Sequence, residues 1–204
     1  MNLFESIADE NLNLLPFDGV VNYYGPLFSK NQADDYLKKL MDEIPWENDR
    51  HIIFGKEIIT KRKMAWFGDQ PFTYTYSHIP RKAHLWIPLL LELKNKIEDK
   101  SGDTFNSCLL NLYHSGDEGM GWHADDEKEL KPNGAIASVS FGAERKFAFK
   151  HKKTAQGVQT NLEHGSLLVM KGATQSYWLH RLPVTKKVSL PRINLTFRTI
   201  VSSV

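Results

Sequence analysis

The sequence predicts a mainly β fold with helices flanking the β core. Three observations predict it. Two stretches in the first half have helical spacing and helix-ending signals. After residue 103 the chain breaks into short apolar runs separated by Gly, Asn and Pro, the pattern of a sandwich or rolled barrel. Eleven Phe, seven Tyr and five Trp supply the aromatic residues that pleated sheets favour.

The first helix is SKNQADDYLKKLMDEIPW. Ser29 is its N-cap, Ala33, Tyr36, Leu37, Leu40, Met41 and Ile44 follow helical spacing, and Pro45 ends it. HIIFGKEII reads as two strands around a Phe54-Gly55-Lys56 turn, and KRKMAW and FTYTYS as further extended pieces. The second helix starts at Pro88, buries Leu89, Leu90, Leu93 and Ile97, and stops at Gly102. Then come the strands NSCLLNLYH, AIASVSFG, RKFAFKH, GSLLVMKG, QSYWLHRL and PRINLTFRTIV. At 204 residues this is the size of one domain, 1–204, with helices and a hairpin in 1–102 and the β core in 103–204.

Composition narrows the setting. Cys108 is the single cysteine, which excludes an internal disulfide or a cysteine zinc cluster and points to a reducing compartment. The N-terminus lacks a basic leader region, and no apolar run approaches a membrane span. The expectation is a soluble intracellular protein with no membrane partner, cytoplasmic in a bacterium or nuclear in a eukaryote. The net charge of +2 hides an asymmetry: residues 1–50 carry 4 basic and 10 acidic side chains, residues 141–204 carry 11 and 2. A basic face of this kind suits a polyanion.

The chemistry begins at GMGWHADDEKE. On a strand, His123 and Asp125 would project to one side. Chance alone supplies about one such pair in a chain with 8 His and 24 acids, so the motif needs support. His180, in SYWLHRLPV at the end of an expected strand, is a second imidazole. Two histidines and a carboxylate form the facial triad of non-haem Fe(II) oxygenases, with three positions open for a co-substrate and O2. In PRINLTFRTIV, alternation puts Arg192, Asn194, Thr196 and Arg198 on one face. Two guanidiniums there can grip the two carboxylates of a diacid. Asn111 and Tyr113 share a face of the preceding NLYH strand and can add an amide and a phenol.

The order Asn-x-Tyr, His-x-Asp, a distant His, then Arg-x-Asn-x-Thr-x-Arg resembles the AlkB family of Fe(II)/2-oxoglutarate nucleic-acid demethylases. HADDEKEL, IASVSFGAERKFAFKHK, HGSLLVMKG and LPVTKKVSLPRINLTFR are especially similar to its branch that repairs double-stranded DNA, and the likeness runs over residues 50–200. It implies a double-stranded β-helix (jelly-roll) core with an N-terminal α/β extension. It implies Fe(II) on His123, Asp125 and His180, 2-oxoglutarate as co-substrate, and O2. Arg192, aided by Tyr113, would hold the far carboxylate of 2-oxoglutarate and Arg198 the keto-acid end, with Asn111, Asn194 and Thr196 adding hydrogen bonds.

The activity implied is DNA repair by a dioxygenase: hydroxylation of the N-methyl group of 1-methyladenine or 3-methylcytosine, loss of formaldehyde, and conversion of 2-oxoglutarate to succinate and CO2. The partner implied is DNA with N-alkylated bases, single- or double-stranded, with RNA also open, bound by a monomer. Tyr74 and Tyr76 would contact the flipped base, with Tyr76 stacking opposite His123. Asp126 would accept from its exocyclic amine, and Phe54 would wedge into the vacated stack. Arg62, Lys63, Lys186 and Lys187 would hold phosphates. The same pocket also fits an oxygenase acting on RNA, a protein or a small molecule. A non-catalytic jelly-roll binding module is the remaining alternative, and the whole triad speaks against it.

Overall fold

The computed structural model describes residues 12–53, 56–76 and 79–201, with backbone only for 51–53, 56–57, 74–76 and 79–81. The elements run β1 (Val20–Pro26), α1 (Lys30–Glu43), β2 (Glu47–Ile53), β3 (Lys56–Gly68), β4 (Thr73–Tyr76), β5 (Ile79–Lys82), β6 (His84–Leu85), α2 (Pro88–Ser101), β7 (Ser107–Tyr113) and β8 (Met120–His123). They continue with β9 (Ile136–Gly142), β10 (Arg145–His151), β11 (Gly157–Leu162), β12 (Ser166–Lys171), α3 (Thr174–Tyr177), β13 (Trp178–Leu182) and β14 (Arg192–Arg198).

Both long helices form where their end signals stand. Ser29 Oγ accepts from the Gln32 amide, and Gln32 Oε1 accepts from the Ser29 amide at 3.1 Å, a reciprocal capping box. Replacing Ser29 by alanine is expected to cost about 1 kcal/mol, read as a shift of the urea midpoint with an unchanged m-value. Pro88 opens α2, and Gly102 closes it in the left-handed region (φ 72), its N–H donating to the Glu98 carbonyl.

Most described strands form two facing, mainly antiparallel sheets, and β4 and β5 pair as a separate two-stranded sheet. The large sheet has the order β1-β12-β9-β14-β7-β3-β2, with β6 pairing parallel to β3, and so draws on strands from both sides of residue 102. The small sheet has the order β11-β10-β13-β8. Phe147, Phe149, Trp178 and Leu182 of the small sheet pack against Ile136, Leu168 and Met170 of the large one. The other face of the large sheet carries the helices: Tyr36, Leu40, Leu90, Leu93 and Ile97 bury against Leu110, Val139, Leu195 and Phe197. This is the double-stranded β-helix with an N-terminal α/β extension.

Burial on both faces changes what the alternation in β14 means. Ile193, Leu195 and Phe197 go to the helices. Arg192, Asn194, Thr196 and Arg198 therefore face the space between the sheets rather than water.

Several boundaries differ from the sequence reading. KRKMAW is part of the 13-residue β3, held on both sides by β2 and β7. QSYWLHRL opens with the helical turn of α3, so His180 lies mid-strand in β13 and not at a strand end. Among the described residues, no helix is long and apolar enough to cross a membrane.

Candidate active site

The small sheet positions the histidines. His123 ends β8 and His180 is its register partner on β13, with ring centroids 4.2 Å apart. Asp125 is not on the strand, as simple alternation would have it. β8 ends at His123, and Asp125 reaches the same place through the following turn, where its N–H donates to Gln175 Oε1 at 3.0 Å. Asp125 Oδ1 lies 3.7 Å from His123 Nε2, and one donor atom from each of the three residues lies within 4.8 Å of the others.

The donor set fits a divalent transition metal. His123 Nδ1 is 2.9 Å from the Gly121 carbonyl, which can only accept, so Nδ1 carries the proton and the Nε2 lone pair is left for the metal. His180 is 4% exposed, and burial pushes its pKa down to about 4, so its imidazole is neutral at pH 7. Burial alone would raise the Asp125 carboxyl, but Arg198 above all, then His180 and His123, hold it below the ordinary value. One carboxylate and two neutral imidazoles suit Fe(II) with open positions.

Those positions face a cavity of about 140 Å³ between the sheets, walled on its far side by β14, β7 and β3. Arg192 is 2% exposed. Its Nη2 donates to Ser140 Oγ (2.8 Å) and Asn194 Oδ1 (2.7 Å), while its Nε is buried without a hydrogen-bond partner. Burial lowers its pKa to about 10, which leaves it a cation at pH 7. Asn194 also accepts from Ser138 Oγ and donates to Thr196 Oγ1, and it stands in register with Asn111. Tyr113 is flanked by two guanidiniums, Arg192 at 5.6 Å and Arg62 at 6.0 Å from its ring centroid. Arg198 is buried, with Nη1 3.6 Å from Glu127 Oε1. An unpartnered buried N–H on Arg192, in a small cavity lined by three guanidiniums, suits an anionic ligand.

The expected substrate residues are placed less uniformly. Phe54 lies outside the described residues. Tyr74 and Tyr76 are on β4, paired with Arg81 and Ile79 of β5, and their side chains lie outside the described residues. Arg62 and Lys63 do not act as a pair, because adjacent strand residues point to opposite faces. Arg62 is buried between the sheets against Asp49, whereas Lys63, opposite Leu112, is on the helix side. A surface phosphate grip by Arg62 is therefore corrected to a cavity role. Asp126 is exposed, 3.7 Å from Lys152 Nζ, in an open groove next to the cavity. Lys186 and Lys187 are exposed on the β13–β14 loop, which is tied to residue 116 by the Thr185 and Gly116 amides.

Three contributors were not anticipated. Glu127 is partly buried beside Arg198. Gln175 anchors the Asp125 turn. Arg145 is buried and donates to the carbonyls of Ser115, Gly116, Glu118 and Pro183, tying together the loops that lead into β8 and out of β13. Its signal was present in RKFAFKH, where period two puts it on the inward side with Phe147 and Phe149. Arg145→Gln is expected to destabilise by about 2–3 kcal/mol in denaturant unfolding, because buried carbonyls lose their donor.

The residues from 19 to 198 match the family model described as "2OG-Fe(II) oxygenase superfamily". The DNA oxidative demethylase ALKBH2 of Mus musculus is 40% identical over 195 residues, covering 90% of this chain and 82% of the relative. The chain belongs to the AlkB family of 2OG-Fe(II) oxygenases. Another relative of this AlkB-family oxygenase is the human alpha-ketoglutarate-dependent dioxygenase alkB homolog 3, 41% identical over 181 residues, 83% of this chain and 62% of the relative. The solved structure of OsALKBH1 matches at a TM-score of 0.61 with 17% identity, over 91% of this chain and 99% of that one, a likeness of fold. The AlkB-family assignment implies Fe(II) as cofactor with 2-oxoglutarate and O2 as co-substrates, and His123, Asp125 and His180 are a group that could hold the metal.

Proposed function

We propose that this AlkB-family oxygenase removes N-methyl groups from DNA bases such as 1-methyladenine and 3-methylcytosine, releasing formaldehyde and turning 2-oxoglutarate into succinate and CO2. The observation that carries the reading is a single cavity joining the open side of His123, Asp125 and His180 to the polar face of β14. The relatives named DNA oxidative demethylase supply the substrate class. O2 would be the oxidant: iron, held by His123, Asp125 and His180, would activate it, and 2-oxoglutarate would supply two of the four electrons that reduce it.

The chain's own residues do the rest. Arg192, its Nη2 braced by Ser140 and Asn194 and its charge beside the Tyr113 ring, offers its unpartnered Nε–H to the far carboxylate of 2-oxoglutarate. Arg198 serves the keto-acid end, because it lies beside Glu127 in the turn that carries Asp125 and its charge acts on Asp125 and His180. Asn111, Asn194 and Thr196 complete the polar floor. Met120, Phe147, Met170 and Leu182 line the same cavity with apolar surface that keeps water away from the reacting methyl. The triad and both arginines come from one chain, so a monomer suffices. Residues 1–102 would bring the recognition hairpin, with Phe54, Tyr74 and Tyr76 on the extruded base and Asp126 on its amine, and Lys186 and Lys187 on phosphates.

The test is a panel of methylated oligonucleotides, single- and double-stranded DNA and RNA, incubated with Fe(II) and 2-oxoglutarate. Formaldehyde matched to succinate on DNA is expected. Succinate formed equally with and without oligonucleotide, and no formaldehyde, would overturn the reading. Turnover confined to RNA would replace DNA as the substrate.

A further inference from the structure

Asp49 and Arg62 form an ion pair that the demethylase chemistry so far leaves without a task. Asp49 is 2% and Arg62 7% exposed, and Arg62 Nη2 donates directly to Asp49 Oδ2. Both line the cavity that holds His123 and Asp125, and Arg62 Nη1 also reaches Met120 Sδ at 3.3 Å. The pairing of β2 with β3 slips at this point, with Asn48 opposite Lys63 but Arg50 opposite Ile59. A bulge of this kind re-aims side chains and strengthens the local bend. Here the extra residues lie on β3, where 60–62 stand opposite Asp49 alone, and the Arg62 guanidinium meets the Asp49 carboxylate inside the cavity.

The charge of that cation matters for one class of substrate. A methyl on N1 of adenine or N3 of cytosine uses a ring lone pair and leaves the base positively charged. A methyl on N3 of thymine replaces a proton and leaves the base neutral. A bare guanidinium repels only the first kind. We propose that Asp49 is a specificity-determining residue that cancels the charge of Arg62 and so keeps the cavity open to cationic methylated bases. The inference rests on the demethylase reading and goes beyond it to the choice between lesions.

The experiment compares kcat/KM for 3-methylcytosine and 3-methylthymine in the same oligonucleotide. At the effective dielectric of a protein interior, one unpaired charge across a cavity of this size is worth roughly tenfold or more. Asp49→Asn is therefore expected to lower the ratio of 3-methylcytosine to 3-methylthymine by about tenfold. Arg62→Gln, which removes a cation from the cavity and keeps the Asp49 carboxylate, is expected to raise the ratio. The double variant is expected to return it towards wild type. If Asp49→Asn fails to fold, Arg62→Gln and the double variant decide the matter. Equal changes on both substrates, or shifts of the same sign in the two single variants, would mean that the pair only fastens the hairpin and would overturn the proposal. Wild-type protein that demethylates neither base overturns the demethylase reading, and this inference with it.

Discussion

Replacing His180 by alanine is expected to abolish succinate formation and to remove Fe(II) affinity, while leaving a folded protein. His180 supplies one of three donors, and two remaining donors on a strand end and a turn cannot hold an octahedral cation in a fixed geometry. His123→Ala is expected to behave alike. Chelator competition and circular dichroism check the two halves of the statement, and full activity in either variant would take that histidine off the metal. The same residue gives the metal-free protein a pH signature. Burial depresses the His180 pKa from 6.5 to about 4, so the unfolded chain takes up a proton before the folded one does. The stability contributed by the neutral ring is complete above about pH 6.5 and is lost as pH falls towards 4. Urea midpoints at pH 7 and pH 5 should differ less in His180→Ala than in wild type. Iron affinity should fall as pH approaches 4, where protons begin to compete for the ring nitrogen of the folded protein.

Arg192→Met is expected to raise KM for 2-oxoglutarate by about a hundredfold, since two charge-assisted hydrogen bonds worth about 3 kcal/mol are lost. Its effect on the ligand-free protein runs the other way. Arg192 is a buried cation with hydroxyl and amide partners and an unsatisfied Nε, an arrangement that costs desolvation without a full ionic return. Methionine of similar length keeps the packing, so the melting temperature without ligand should hold or rise. Wild type with Mn(II) and 2-oxoglutarate at a hundred times its Kd should gain about 2.7 kcal/mol of stability, and the variant should not. An unchanged KM would assign the diacid to other residues.

How much of this was legible beforehand differs from residue to residue. The Ser29 cap, the Pro88 start and the Gly102 stop are local devices, governed by backbone groups a few residues apart, and they stand where the letters placed them. The pattern of β14 was readable from strand period, and residue chemistry nominated His123, Asp125 and His180, although Asp125 arrives by a turn and not by alternation. Arg62 was misplaced because basic residues in a row look like a solvent-facing cluster until the sheet partner is known. Asp49, Gln175 and Glu127 left no pattern, since each acts through a residue far from it in sequence or through a bulge in register.

The amino-acid order by itself therefore determined the helices, the two-sided pattern of β14 and the kinship to the AlkB family, and it nominated three candidate metal donors. Only the tertiary structure decided that the polar face of β14 is enclosed, that Asp125 arrives by a turn, and that Arg62 is neutralised inside the cavity. The reason is physical. Periodicity and capping are local properties of a chain, whereas the burial of a charge and the partner it meets depend on which strands lie side by side.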